Sequence, residues 1–141
     1  MSLNKHADLP EKIEQLAKQV VDCAFTVHKE LGPGFLEKIY EEAFVCELKR
    51  RNVPFETQKA LPVFYSGERL PTEYKLDILI GGSVVVELKT AERILPIHEA
   101  QLVSYMKQCG ASLGFVINFK ETLIKNGMKR VVMSENLKVR F

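Results

Sequence analysis

The chain has no apolar run near the roughly 20 residues that span a bilayer, so no membrane-spanning helix is expected. Its opening residues, MSLNKHADLPEKIEQ, hold no apolar segment of the secretory kind, and no signal peptide is expected. Cysteine is scarce. Cys23, Cys46 and Cys109 are odd in number and have no C-x-x-C spacing, which argues against a disulfide frame and a zinc site. Reduced thiols in a cytoplasmic setting are the expectation. No local His pair or Cys cluster suggests zinc either. A large charge of one sign is also lacking, since the net charge is +2. Bases do gather late in the chain, where Lys120, Lys125, Lys129, Arg130, Lys138 and Arg140 face only Glu121 and Glu135. Such an end can touch phosphates or serve simply as a solvated face.

What is present is ordinary for one folded domain. The chain has 141 residues, 46% apolar and 27% charged, enough for a real core. No repeat, low-complexity tract or linker divides it. A single domain over residues 1–141 is expected, with 1–8 as a loose end. Asp8-Leu9-Pro10-Glu11 resembles a capped helix start. Ile13, Leu16, Ala17, Val20, Ala24, Val27 and Leu31 then recur at helical spacing, and Gly32-Pro33-Gly34 stops the helix. His28, near its end, has a sufficient explanation in the helix dipole. A second helix is expected from about Phe35 to Arg51, with Leu36, Ile39, Ala43 and Val45 or Cys46 as its apolar contacts. Glu37, Tyr40, Glu41 and Phe44 lie along another side, and a first-turn Glu37 is accounted for by the dipole alone. Phe55 to Tyr65 reads as a strand with an edge or bulge at Leu61-Pro62. Ser66 to Arg69 reads as a turn. His98 to Cys109 reads as a helix closed by Gly110, placing Gln101 and Tyr105 on one face. Leu113 to Phe119 and Met128 to Met133 read as strands. The order implies one sheet with helices packed on it.

The stretch Tyr74 to Thr90, YKLDILIGGSVVVELKT, carries the chemistry. Two short apolar arms meet at Gly81-Gly82-Ser83, a hairpin signal. A two-residue turn would put Asp77 and Glu87 on opposite faces. A three-residue loop pairs Ile80 with Val84, Ile78 with Val86 and Leu76 with Leu88, all on one face. Asp77 and Glu87 then share the other face with Lys75 and Lys89. The hydrophobic pattern selects the second register. Carboxylates placed opposite each other repel. A cation, a neighbouring lysine or a raised pKa must offset that. An exposed, salt-bridged hairpin face is the plain alternative.

Asp77, ten residues before Glu87-x-Lys89, with Gln101-x-x-x-Tyr105 on the next helix, resembles the PD-(D/E)xK nuclease superfamily. Upstream, Gly34-Phe35-Leu36-Glu37-Lys38-Ile39-Tyr40 reads G-x-x-E-x-x-Y. Together with HEAQLVSYMK, that string looks like the small GxxExxY protein family within the superfamily. The resemblance runs from about His28 to Phe119 and departs in one place, where Leu76 precedes Asp77 instead of Pro. It implies a restriction-endonuclease-like α/β fold, a central mixed β-sheet flanked by helices. It implies a nuclease hydrolysing nucleic-acid phosphodiester bonds, and of the two nucleic acids DNA is the expected partner. Asp77 and Glu87 resemble its metal-binding carboxylates, and Lys89 the lysine that positions the attacking water. Glu37 resembles the helix-borne acid that completes the metal shell. Gln101 and Tyr105 resemble the supporting pair, and Tyr40 and His98 lie in the matching segments.

The chemistry stands beside the resemblance. Mg²⁺, for which Mn²⁺ can substitute, prefers carboxylate and phosphate oxygens and keeps several waters. The backbone carbonyl of Leu88 is a plausible further ligand. Lys89, two residues beyond Glu87, points to the same strand face. A non-catalytic module that retains the fold and binds nucleic acid or a partner is the alternative reading.

Overall fold

The computed structural model describes residues 9–133. The expected loose end at residues 1–8, the Asp8 cap and the basic residues Lys138 and Arg140 lie outside the described residues. Helix α1 runs Glu11–Leu31, with Pro10 at its cap position and Glu11 and Glu14 in its first turn. The expected stripe is the buried one: Ala17, Val20, Ala24 and Val27 lie in the core, with Ile13, Leu16 and Leu31 packed at its margin. Gly32 ends the helix at φ 71°.

Helix α2 spans Glu37–Arg50, and its buried face differs from the expectation. Tyr40, Phe44 and Leu48 are fully buried, whereas Leu36 is 77% exposed. Two aromatic rings bury more surface than Leu36 and Ile39 could. Tyr40 also finds partners for its hydroxyl: it donates to the Gly32 carbonyl and accepts from the Phe35 N–H at 3.1 Å. Its ring stacks on Phe119 with centroids 4.5 Å apart. Glu37 and Glu41 each precede a buried aromatic by three residues, so they border the face that packs on the sheet.

Five strands form one mixed sheet. In chain order they are β1 (Phe55–Leu61), β4 (Tyr74–Ile80), β5 (Val84–Lys89), β6 (Leu113–Asn118) and β7 (Met128–Val132), and they lie side by side in that same order. Between β1 and β4, β2 (Phe64–Tyr65) and β3 (Glu68–Arg69) pair as a separate small hairpin. The single strand expected over Phe55 to Tyr65 therefore ends before Pro62, which cannot donate to a ladder. Strands β5 and β6 are parallel and every other neighbouring pair is antiparallel. Helix α3 (Pro96–Cys109) makes the connection between the parallel pair. It starts two residues earlier than expected because Pro96 occupies its first turn, where a missing N–H costs nothing. One apolar cluster lies between the sheet and helices α1 and α2, and a second lies under α3.

The β4–β5 loop is Gly81 to Ser83. Ile80 faces Val84, Leu79 faces Val85 and Ile78 faces Val86, the register that the apolar pattern selects. Beyond Ile78 and Val86 the ladder stops. The expected Leu76–Leu88 pair does not form, and the two residues lie in different clusters: Leu88 with Ile78 and Ile80, Leu76 with Leu79 and Val85. Strand β4 changes faces at Asp77. Its outer neighbour β1 does so at the same level, since Phe55 packs on the first cluster and Leu61 on the second. Gln58 and Asp77 are the one opposed pair missing from an otherwise continuous β1–β4 register. Gln58 has φ 50°, a left-handed conformation that costs a non-glycine residue about 1–2 kcal/mol.

The loop glycines make a paired test. Both have positive φ, 58° at Gly81 and 67° at Gly82. A methyl group at Gly81 would come within 2.7 Å of Leu16 Cδ1, whereas one at Gly82 would meet nothing within 4 Å. Gly82→Ala should therefore cost about 1 kcal/mol from backbone strain alone. Gly81→Ala should cost more, because Leu16 must also move. Urea melts of the two variants check the order.

Candidate active site

The site opens where the β4–β5 ladder stops. In place of the next ladder bonds, two side chains reach across the seam. The Asp77 N–H donates to Glu87 Oε2 at 2.9 Å, and the Leu88 N–H donates to Asp77 Oδ2 at 2.9 Å. Each carboxylate therefore spends one oxygen on the facing strand and keeps the other. Glu87 is only 5% exposed and Asp77 is half-buried. Burial, then the Asp77 charge, pushes Glu87 up to about 8, against the pull of the Asp77 N–H and Lys89. Burial also raises Asp77, opposed first by the Leu88 N–H.

Helix α2 brings a third acid. Glu37 is exposed as a residue, yet its carboxyl group is desolvated enough to raise its pKa, and the Asp77 charge raises it further. The Lys89 ammonium and the Thr90 backbone N–H pull the other way. Glu41, one turn later, is close enough to raise both Asp77 and Glu37. It accepts the Gln58 amide through both oxygens, at 3.2 and 3.3 Å. Lys89 is half-buried, and among the described residues it makes no ion pair within 4.0 Å. The salt-bridged hairpin face is thus not what forms. Backbone amides and the Lys89 charge, acting without a direct ion pair, ease the repulsion between Asp77 and Glu87, and the rest appears as raised pKa values.

The remaining expected residues divide. Tyr105 on α3 stands near the acids, since burial and then the Glu87 charge raise its hydroxyl. Its ring meets Tyr74 edge-on at 4.4 Å. Gln101 is half-buried on the same helix and makes no hydrogen bond among the described residues. His98 caps α3: its Nδ1 accepts the Leu95 N–H at 3.0 Å. Tyr40 holds the turn that aims Glu37 and makes no contact with the carboxylates described above. Sequence reasoning missed Glu41, Gln58 and Asn118. Glu41 could have been found one helical turn after Glu37. Gln58 has no signal, because a left-handed Gln inside a strand is not encoded locally. Asn118 is fully buried and binds both backbone groups of Ala91, at 3.0 and 2.8 Å, which ties down the chain just after Lys89 and Thr90.

The donor chemistry suits a hard divalent cation. It consists of carboxylates with raised pKa values around a single lysine that is not ion-paired. Among the described residues, however, no three acidic, His or Cys side chains stand close enough to hold a metal as they are placed. A cation would recruit the free oxygens of Asp77 and Glu87 first.

Residues 14–131 match the sequence model of the PD-(D/E)XK nuclease superfamily. The chain belongs to that superfamily. No curated protein and no solved structure matches it. As a PD-(D/E)XK protein it has a nuclease-type function in general and a nucleic-acid substrate, and such nucleases generally use divalent metal ions. The five-stranded mixed sheet flanked by helices agrees with that fold. No helix among the described residues is long and apolar enough to cross a membrane.

Glu87 sets a pH dependence in this PD-(D/E)XK site. Its carboxyl is near 4.5 in the unfolded chain and about 8 when folded. Between those values the folded protein holds the extra proton, so metal-free stability falls as pH rises through the window. Glu87→Gln removes this linkage while keeping an acceptor for the Asp77 N–H. In EDTA, the variant should melt progressively higher than the parent from pH 5 to pH 8.5. Parallel melting curves across that range would show that Glu87 titrates normally.

Proposed function

We propose that this protein is a metal-dependent nuclease that hydrolyses phosphodiester bonds at the β4–β5 seam, with DNA as its preferred substrate. The observation that carries the reading is the opened ladder, where a buried Glu87 and a half-buried Asp77 converge without an ion-pair partner. Asp77 and Glu87 would hold Mg²⁺, or Mn²⁺ in its place, with the Leu88 carbonyl as a further ligand and Glu37 acting through water. When bound, the ion would supply a Lewis acid for the phosphate and lower the pKa of a water. Lys89 is the catalytic cation: its ammonium, committed to no carboxylate, orients the attacking water and offsets charge developing on the phosphorus oxygens. Tyr105 stands near the acids from α3, and Gln101 and His98 would support the site from the same helix. Gly34, Glu37 and Tyr40 support membership of the GxxExxY branch, and residues 1–141 form one nuclease domain. Three free thiols, one of them pushed up to about 11 by burial, suit a cytoplasmic protein.

Two bases of the basic end among the described residues are already ion-paired. Lys120 pairs with Glu92 at 2.6 Å and Arg130 with Glu14 at 3.0 Å. One observation favours a second reading, a non-catalytic module that binds nucleic acid: both seam carboxylates are already satisfied in part by backbone amides.

Cleavage of DNA and RNA with Mg²⁺, Mn²⁺ or EDTA separates the two. The parent should cleave DNA with either metal and lose activity in EDTA. Asp77→Asn and Glu87→Gln should lose both metal binding and cleavage. Lys89→Ala should bind Mg²⁺ at least as well, having lost a competing cation, yet cleave about 10²-fold slower, close to 3 kcal/mol of transition-state stabilisation. A parent that binds DNA without cutting it under any of these metals would establish the module instead.

A further inference from the structure

Gln58 stands out as a non-glycine residue at φ 50° in the middle of a strand, where no turn requires it. Left-handed non-glycine residues persist only where the surroundings over-determine them, and they concentrate at functional sites. Three consequences meet at this position. The Gln58–Asp77 pair drops out of the β1–β4 ladder while the pairs on both sides keep their register. Both strands exchange faces there. The Gln58 amide turns toward α2 and donates to both oxygens of Glu41. With the ladder skipped, the Asp77 backbone N–H meets Glu87 and its carboxylate meets the Leu88 N–H.

We infer that Gln58 is a positioning residue for the acidic site: its left-handed backbone takes Asp77 out of regular pairing with β1, and its amide holds the Glu41 carboxylate at the border of the site. Gln58 touches no reacting group itself. It lies on the outer strand and is exposed, so the packing of the core does not depend on its side chain. The inference rests on the proposed nuclease reading only for its effect on metal uptake.

Two substitutions separate the backbone from the amide. Glycine adopts positive φ without strain but has no amide. Asparagine tolerates the left-handed region and keeps the amide on a shorter stem. Gln58→Gly should melt no lower than the parent. Its Leu88 amide resonance should move nonetheless, because the released Glu41 carboxylate changes the charge beside the Asp77 oxygen that accepts that N–H. Leu88 lies on β5, which does not neighbour β1, so this is not a local effect of the substitution. Calorimetry should show Mg²⁺ affinity lower by about tenfold in Gln58→Gly, and Gln58→Asn should recover part of both effects. An unmoved Leu88 resonance with parental Mg²⁺ affinity would overturn the inference, as would a lower melting temperature with no change at Leu88. If the parent itself takes up no Mg²⁺, the metal-dependent reading fails, and the Leu88 resonance alone decides the role of Gln58.

Discussion

The site depends on one exchange: two side-chain carboxylates stand in for a broken β-ladder. Buried backbone N–H groups must be paired, and at Asp77 and Leu88 the facing strand supplies side-chain oxygens instead of carbonyls. This keeps a seam open in the middle of a sheet that is closed elsewhere. It also holds two like charges together by giving each a fixed donor. The remaining imbalance appears as raised pKa values at Asp77, Glu87 and Glu37. The site is electrostatically unfinished, the condition in which a cation has most to offer.

The surrounding elements maintain that seam from three sides. Tyr40 anchors the start of α2 through the Gly32 carbonyl and the Phe119 ring, and so fixes where Glu37 and Glu41 border the sheet. Asn118 binds Ala91 as another strand would, while the Phe119 N–H donates to the Lys89 carbonyl at 2.9 Å. The end of β5 is therefore held although its other neighbour has let go. From the opposite face, α3 places Tyr105 near the acids. Most of these supports are buried polar groups with satisfied partners, which favour one arrangement over near alternatives.

Local pattern was enough to place Asp77, Glu87 and Lys89 near one another. The alternation of Val and Ile around Gly81 to Ser83 permits only one register that keeps the apolar pairs together, and that register forms. The same rule failed two residues beyond the last pair, Ile78 and Val86. Strict alternation put Leu76 with Ile78, whereas the chain changes faces at Asp77, opposite the left-handed Gln58 of β1. A two-residue period has no term for a neighbour's strain.

The sequence by itself determined the order of the three helices and five sheet strands, the hairpin register, the α1 stripe and the pairing of Asp77 with Glu87 as candidate acids. These follow from periodicity, turn chemistry and the few groups able to ligate a hard cation. Only the tertiary structure decided which face of α2 is buried. Apolar count pointed to Leu36 and Ile39, but the Phe119 ring and the Gly32 carbonyl were waiting on the Tyr40 side, and both come from distant or non-helical residues. That choice brings Glu37 and Glu41 toward the seam. Tertiary structure likewise decided how the two carboxylates tolerate each other. Sequence offered a cation, a lysine or a shifted pKa. The fold uses backbone amides and the Lys89 charge together with the shift, because a ladder broken at one level leaves N–H groups that the two side chains take up.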